Sequence, residues 1–110
     1  MKQYVVDEIR PKEYETLKAY LDDRFTPQFM DGLYWLFLDK KLYSENQKNH
    51  AACHPYCFAL ELKESAVCAE LLVRSQKRMR CDCVAYATDE QRHWLLKTID
   101  DMFETLQLKT

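Results

Sequence analysis

Between Tyr56 and Tyr86 apolar and polar positions alternate with a period of two, and after Thr88 the period becomes helical. The segments Tyr56 to Lys63, Ala66 to Arg74 and Met79 to Tyr86 read as strands. Glu64-Ser65 and the short stretch around Ser75 to Arg78 join them at hairpin lengths. Thr88 and Gln91 have the spacing of a capping box, and Asp89 and Glu90 favour the positive end of a helix dipole. Leu95, Ile99, Met102, Phe103 and Leu106 then form the apolar stripe of the final helix.

Residues two apart in a strand share a face. Phe58, Leu60 and Leu62 align with Val67, Ala69, Leu71 and Val73 and with Met79, Cys81, Cys83 and Ala85. Burying such side chains at about 25 cal/mol per Å² outweighs any loop strain, so this is the expected core face. The opposite face then carries Cys57, Ala59, Glu61, Cys68, Glu70, Leu72, Arg74, Arg80, Asp82, Val84 and Tyr86. The register of the second hairpin decides this, because a one-residue slip would send Arg80 and Asp82 into the core.

The first half has shorter patterns. Gln3 to Glu8 is a strand candidate. Pro11 suits the first turn of a helix whose buried side is Tyr14, Leu17, Leu21 and Phe25. Thr26-Pro27 resembles a helix cap, and Gly32 a stop. Leu33 to Leu38 is a strand candidate without alternation, which predicts burial on both faces, with a helix as the alternative. Ser44 and Gln47 form a second capping box, opening a short polar helix that ends near Ala52, before Pro55.

Composition narrows the function classes. At 110 residues, 1–110 reads as a single domain, and 47% apolar residues are too many for disorder. Sixteen basic and eighteen acidic residues leave a formal charge of −2, which gives no long-range pull toward nucleic acid or an anionic membrane. The order of helix, three strands and helix is also that of double-stranded-RNA-binding modules. Here, however, Thr88-Asp89-Glu90 at the last helix would repel phosphates, and Lys77-Arg78-Met79-Arg80 is the sole basic run. The N-terminus turns acidic at once, and the longest apolar run is six residues, Leu33 to Leu38. Neither a signal peptide nor a membrane span is expected. Five cysteines, an odd number, fit reduced thiols in a cytoplasmic protein better than a disulfide framework.

Three groups of residues could carry chemistry. His50, Cys53, His54 and Cys57 put four zinc-type donors within eight residues. A Cys53 nucleophile activated by His50 or His54 is a variant of that reading. Cys81 and Cys83 are close enough in sequence to suggest redox work. In a regular strand, however, their Cα atoms would lie about 6.5–7 Å apart, at the far limit for a disulfide. As core residues they would be inert, so a thiol reagent should reach Cys53 or Cys57 first. The third group is Glu61, Glu70, Arg74, Arg80 and Asp82, whose mixed charges could bind a polar ligand or split acid and base roles.

The expected fold is α+β in two layers. A mainly antiparallel sheet of four or five strands carries an N-terminal and a C-terminal helix on one face. The leading expectation for function is a non-enzymatic cytosolic binding or assembly protein. It would self-associate through Glu61, Glu70, Leu72, Arg74, Arg80, Asp82 and Tyr86 on the outer sheet face, with no cofactor, nucleic-acid partner or membrane partner. The alternatives are a small enzyme or polar-ligand binder that uses the charged residues of that face, and a metal-binding protein that uses His50, Cys53, His54 and Cys57.

Overall fold

The strand Tyr56–Lys63 is the axis of the sheet, because every other rank is built outward from it. A computed structural model describes residues 2–25, 30–78 and 80–108. In chain order its main elements are β1 (Gln3–Val6), α1 (Pro11–Arg24), β2 (Leu33–Phe37), α2 (Glu45–Lys48), β3 (Tyr56–Lys63), β4 (Ala66–Glu70), β5 (Leu72–Ser75), β6 (Ala85–Tyr86) and α3 (Asp89–Thr105). β2 lies on one edge of β3, with Trp35 opposite Ala59. β4 and β5 share the other edge. β1 flanks β4 and β6 flanks β5, and all these pairings are antiparallel.

The two long helices pack on the same face of the sheet. Tyr56, Phe58, Leu60 and Leu62 alternate toward them and are buried. The Trp94 ring of α3 stacks on Phe58 with centroids 6.2 Å apart. α1 buries Leu17 and Leu21, and α3 buries Leu95, Ile99, Met102 and Phe103. The expected α+β fold, with N- and C-terminal helices over an antiparallel sheet, is therefore the observed one. Gly32 has φ +83°, its carbonyl accepts the Leu62 N–H at 2.8 Å, and a Cβ there would lie 3.1 Å from the Leu62 oxygen. Only glycine meets both demands easily. The Thr26-Pro27 cap lies outside the described residues.

The stretch read as one strand from Ala66 to Arg74 is broken by a bulge. Leu60 pairs with Ala69 and Cys57 with Arg74, so Phe58 and Ala59 face the four residues Glu70 to Val73. Leu71 sits in the break, yet neither of its backbone groups is left unpaired. Its N–H donates to the Lys2 carbonyl at 3.0 Å, and its carbonyl accepts from Ala87 N–H at 2.8 Å. The bulge adds two residues rather than one. Alternation therefore survives it, and Cys68, Glu70, Leu72 and Arg74 all stay on the outer face.

Other expectations need correction. The third strand, read from Met79 to Tyr86, shrinks to Ala85–Tyr86. Cys81 to Val84 is instead a turn, closed by Val84 N–H to the Cys81 carbonyl at 3.0 Å. The bulge leaves β6 only two partners, Leu72 and Val73, before Ala87 meets Leu71. Arg80, Asp82 and Val84 therefore do not extend the sheet, and Met79 lies outside the described residues. The polar helix after Ser44 lasts four residues. His50 leaves helical backbone at φ −113°, ψ 63°, and Ala51–Cys53 forms a separate 3-10 turn. β2 is not buried on both faces: Tyr34 and Leu36 are buried, whereas Phe37 is exposed. Its pattern lacks alternation because both of its faces are apolar.

Ile99 is 1% exposed at the centre of the helix–sheet contact. Ile99→Asp should cost about 3–5 kcal/mol, since it removes apolar packing and buries an unpaired carboxylate. Thermal denaturation checks this; a variant that melts within a few degrees of the parent would make α3 peripheral.

Candidate functional site

Functional side chains concentrate in two places, the uncovered face of the sheet and a knot of thiols at one end of the core. The uncovered face follows from strand register. Val5, Leu33, Trp35, Phe37, Cys57, Ala59, Cys68, Leu72 and Tyr86 share it with Gln3, Glu61, Lys63, Glu70 and Arg74. Small residues hold its middle, where Cys57, Ala59 and Cys68 are buried under their neighbours. Larger side chains stand at the margins: Val5 is 42% exposed, Phe37 48% and Tyr86 45%. Lys2 lies over the Tyr86 ring, 5.5 Å from its centroid.

One ion pair crosses this face. Arg74 Nε donates to Glu70 Oε1 at 3.0 Å. Residues four apart in a regular strand would be about 13 Å apart, so it is the bulge that brings these two together. Glu61 stands on the same face, opposite Cys68 and Leu33. Arg80 is exposed on the connection that follows β5, and Asp82 lies on the Cys81–Val84 turn. Of the five charged residues proposed as a ligand site, Glu61, Glu70 and Arg74 share the outer face, whereas Arg80 and Asp82 lie off it. None of them lines the groove of about 200 Å³ between α1 and α3 over Leu36 and Leu60.

The thiol knot was not legible as a unit. The sulfurs of Cys53, Cys81 and Cys83 all lie within 4.8 Å of one another. His50, Cys81 and Asp82 bring their donor atoms together within the same limit. Cys53 and Cys83 are buried, while Cys81 is half-buried. The 3-10 turn carries Cys53, and its place is set by Ser75 Oγ, which donates to the Cys53 carbonyl at 2.5 Å. Asn46 Nδ2 donates to the Asp82 carbonyl at 3.1 Å and ties the thiol turn to α2. Burial raises the Cys83 thiol to about 11, a rise that the Tyr56 hydroxyl beside it partly offsets. The Cys83 backbone N–H, aimed at the Cys81 sulfur, holds the Cys81 thiol below its ordinary value.

Each sequence candidate contributes half of this knot. His50 and Cys53 belong to it, whereas His54 and Cys57 do not. The His54 ring pairs through Nε2 with the Gln47 carbonyl at 2.7 Å and packs edge-on against Tyr43. Cys57 is on the outer sheet face, and its Sγ donates to the Arg74 carbonyl at 3.7 Å. Cys81 and Cys83 sit on a turn and not in a strand; Cys83 is buried in the core as expected, whereas Cys81 is half-buried and the most accessible of the five thiols. The overlooked signal was a pair of pairs, His50-x-x-Cys53 and Cys81-x-Cys83. Comparison with known proteins gives no matching family model, no match among curated proteins and no match among solved structures.

Burial pushes the Cys57 thiol from 9.0 up to about 12, against the pull of the Arg74 guanidinium. Burial, helped by its hydrogen bond to Asp22, pushes Tyr34 from 10.0 to about 12. Both groups are held protonated in the fold. Their stabilisation is complete below about pH 9 for Cys57 and pH 10 for Tyr34, and it is lost as pH climbs toward 12. Urea unfolding should therefore show a decline across that window, and Cys57→Ala should make it shallower. An unchanged slope in Cys57→Ala would mean that the thiol meets water in the native protein.

Proposed function

We propose that this protein acts by assembly, with two copies pairing through the sheet face that the helices leave bare. One observation carries the reading. Among the described residues four large apolar side chains are exposed, and three of them, Val5, Phe37 and Tyr86, stand on that face. A patch of this kind on a monomer commonly marks an interaction surface. A second copy is the favoured occupant because the face carries both signs of charge, Glu61 and Glu70 with Lys63 and Arg74. A two-fold axis can set each sign against the other, and this fixes register more than affinity.

The size of the face bounds the strength of pairing. Four ranks at about 4.8 Å and eight residues at about 3.3 Å give roughly 500 Å² in projection. That falls near the lower end of stable interfaces, so the dimer should be reversible and micromolar rather than obligate. Five free thiols further suit a reducing compartment, which supports a cytosolic setting. Among the described residues no helix is long and apolar enough to cross a membrane.

Phe37→Asp combined with Tyr86→Asp tests the reading. Both side chains are about half exposed, so the change should cost little in the monomer. Sedimentation of the parent should show a monomer–dimer equilibrium at tens of micromolar, on the order expected for an interface of this size. The double variant should stay monomeric with an unchanged melting temperature. A parent that remains monomeric at several hundred micromolar, on the order of the weakest useful interfaces, would end the proposal.

A further inference from the structure

We infer that Cys53, Cys81, Cys83 and His50 form a binding site for one zinc ion. Three sulfurs within 4.8 Å of one another already approximate one face of a tetrahedron. At a Zn–S bond of about 2.3 Å tetrahedral sulfurs sit about 3.8 Å apart, so each would move inward by about 1 Å or less. Two of the sulfurs come from a turn and the third from a 3-10 segment, neither of which is locked in a strand ladder.

The fourth donor is His50, and its hydrogen bonding supplies an independent argument. The His50 Nδ1 lies 2.6 Å from the Asn46 carbonyl, which can only accept. Nδ1 therefore carries the proton, and in the neutral ring Nε2 presents a lone pair. That lone pair faces the Asp82 carboxylate at 3.4 Å, with the Cys81 sulfur in the same group. Two acceptors facing each other need a positive charge at that place. A metal ion on Nε2 supplies it, as does a second proton that makes the contact an ion pair with Asp82, and a histidine whose other nitrogen donates to a carbonyl is the usual arrangement in metal sites. Asp82 remains as an outer carboxylate beside the ion.

The donor set selects the metal. Three thiolates and an imidazole suit zinc better than a hard cation such as magnesium or calcium. His50 lies with Cys81 and Asp82 rather than with all three sulfurs, so its ring would move toward the ion. With it in place, and with two of the thiols buried, the site would be closed and structural rather than catalytic. Binding converts the thiols to thiolates and releases up to three protons per ion, with no change of oxidation state. The ion would clamp the 50–53 segment to the 81–83 turn, on the helix side of the sheet. The inference does not depend on assembly through the opposite face.

The test uses the full chain, stripped with a chelator under reducing conditions and titrated with Co²⁺ and then Zn²⁺. One Co²⁺ per chain should give the visible bands of a tetrahedral site together with thiolate charge transfer, and Zn²⁺ should displace it. Zinc should raise the melting temperature and protect Cys81, the first thiol to be alkylated in the metal-free protein. Cys81→Ser and His50→Ala should each weaken zinc binding by at least about a hundredfold, more than is typical of an outer-shell change. Cys68→Ala and His54→Ala should leave the stoichiometry at one. Cys81 is half-buried, so its serine variant is expected to fold, and circular dichroism verifies that. Absence of tetrahedral Co²⁺ bands in the parent would overturn the site. So would equal zinc affinity in Cys81→Ser, or a disulfide among these three cysteines that zinc does not prevent. None of these readouts is sedimentation, so failure here is distinguishable from failure of the dimer.

Discussion

The hydrogen bond between the side chains of Gln47 and Gln91 holds the two halves of the molecule together. Gln91 Nε2 donates to Gln47 Oε1 at 2.9 Å and to the Leu42 carbonyl at 2.8 Å. Each glutamine is also the reciprocal member of a capping box. Gln47 Oε1 takes the Ser44 N–H, and Gln91 Oε1 takes the Thr88 N–H. Both residues are buried, so either amide left alone would cost about 1–3 kcal/mol. The long connection from β2 to β3, which carries little regular structure, is thereby anchored to the start of α3. The Gln47 backbone carbonyl extends the anchor, since the Tyr56 hydroxyl donates to it at 3.2 Å. His50 and Cys53 owe their position to this arrangement, because they follow immediately on α2.

The bulge at Leu71 is the second constraint, and it sets the other half of the thiol knot. Without it β4 and β5 would run as one straight strand, and the third strand could pair along its whole length. The bulge hands one half of the outer edge to β1 and leaves only two residues for β6. The chain between Ser75 and Ala85 is then free to turn back over the core. Ser75 makes that return specific, since its hydroxyl accepts the N–H groups of Lys77 and Arg78 at 3.1 Å while it donates to the Cys53 carbonyl. The same bulge draws Arg74 onto Glu70, so one backbone irregularity organises both candidate surfaces.

What was legible in the sequence follows from which signals are local. β3 was bounded correctly from alternation, α3 from its stripe and cap, and both capping boxes from serine, threonine and glutamine spacing. These depend on residues within a turn or two of one another. The break at Leu71 depends on Lys2 and Ala87, which lie far away in sequence, and no local pattern marks it. Alternation also misled at Cys81-Asp82-Cys83, where small, polar and small residues fit a strand as well as a turn. The thiol knot was visible only in halves, because its assembly depends on the contact between Gln47 and Gln91 and on the bulge.

The five cysteines resolve into two populations once the faces are known. Cys57 and Cys68 lie in the middle of the outer face, where they act as small apolar fillers between larger side chains. Burial alone disfavours ionisation of Cys57, and its one hydrogen bond is a weak donation to a carbonyl. Cys81 has the opposite environment, with a backbone N–H directed at its sulfur, a half-open position and two further thiols in reach. A thiol that only fills space needs no donor, whereas a thiol that must exist as thiolate does. Burial does not separate the two populations, since Cys53 and Cys83 are as buried as Cys57 and Cys68. What sets Cys53 and Cys83 apart is that their sulfurs converge with that of Cys81 within 4.8 Å, whereas those of Cys57 and Cys68 lie on the other face of the sheet.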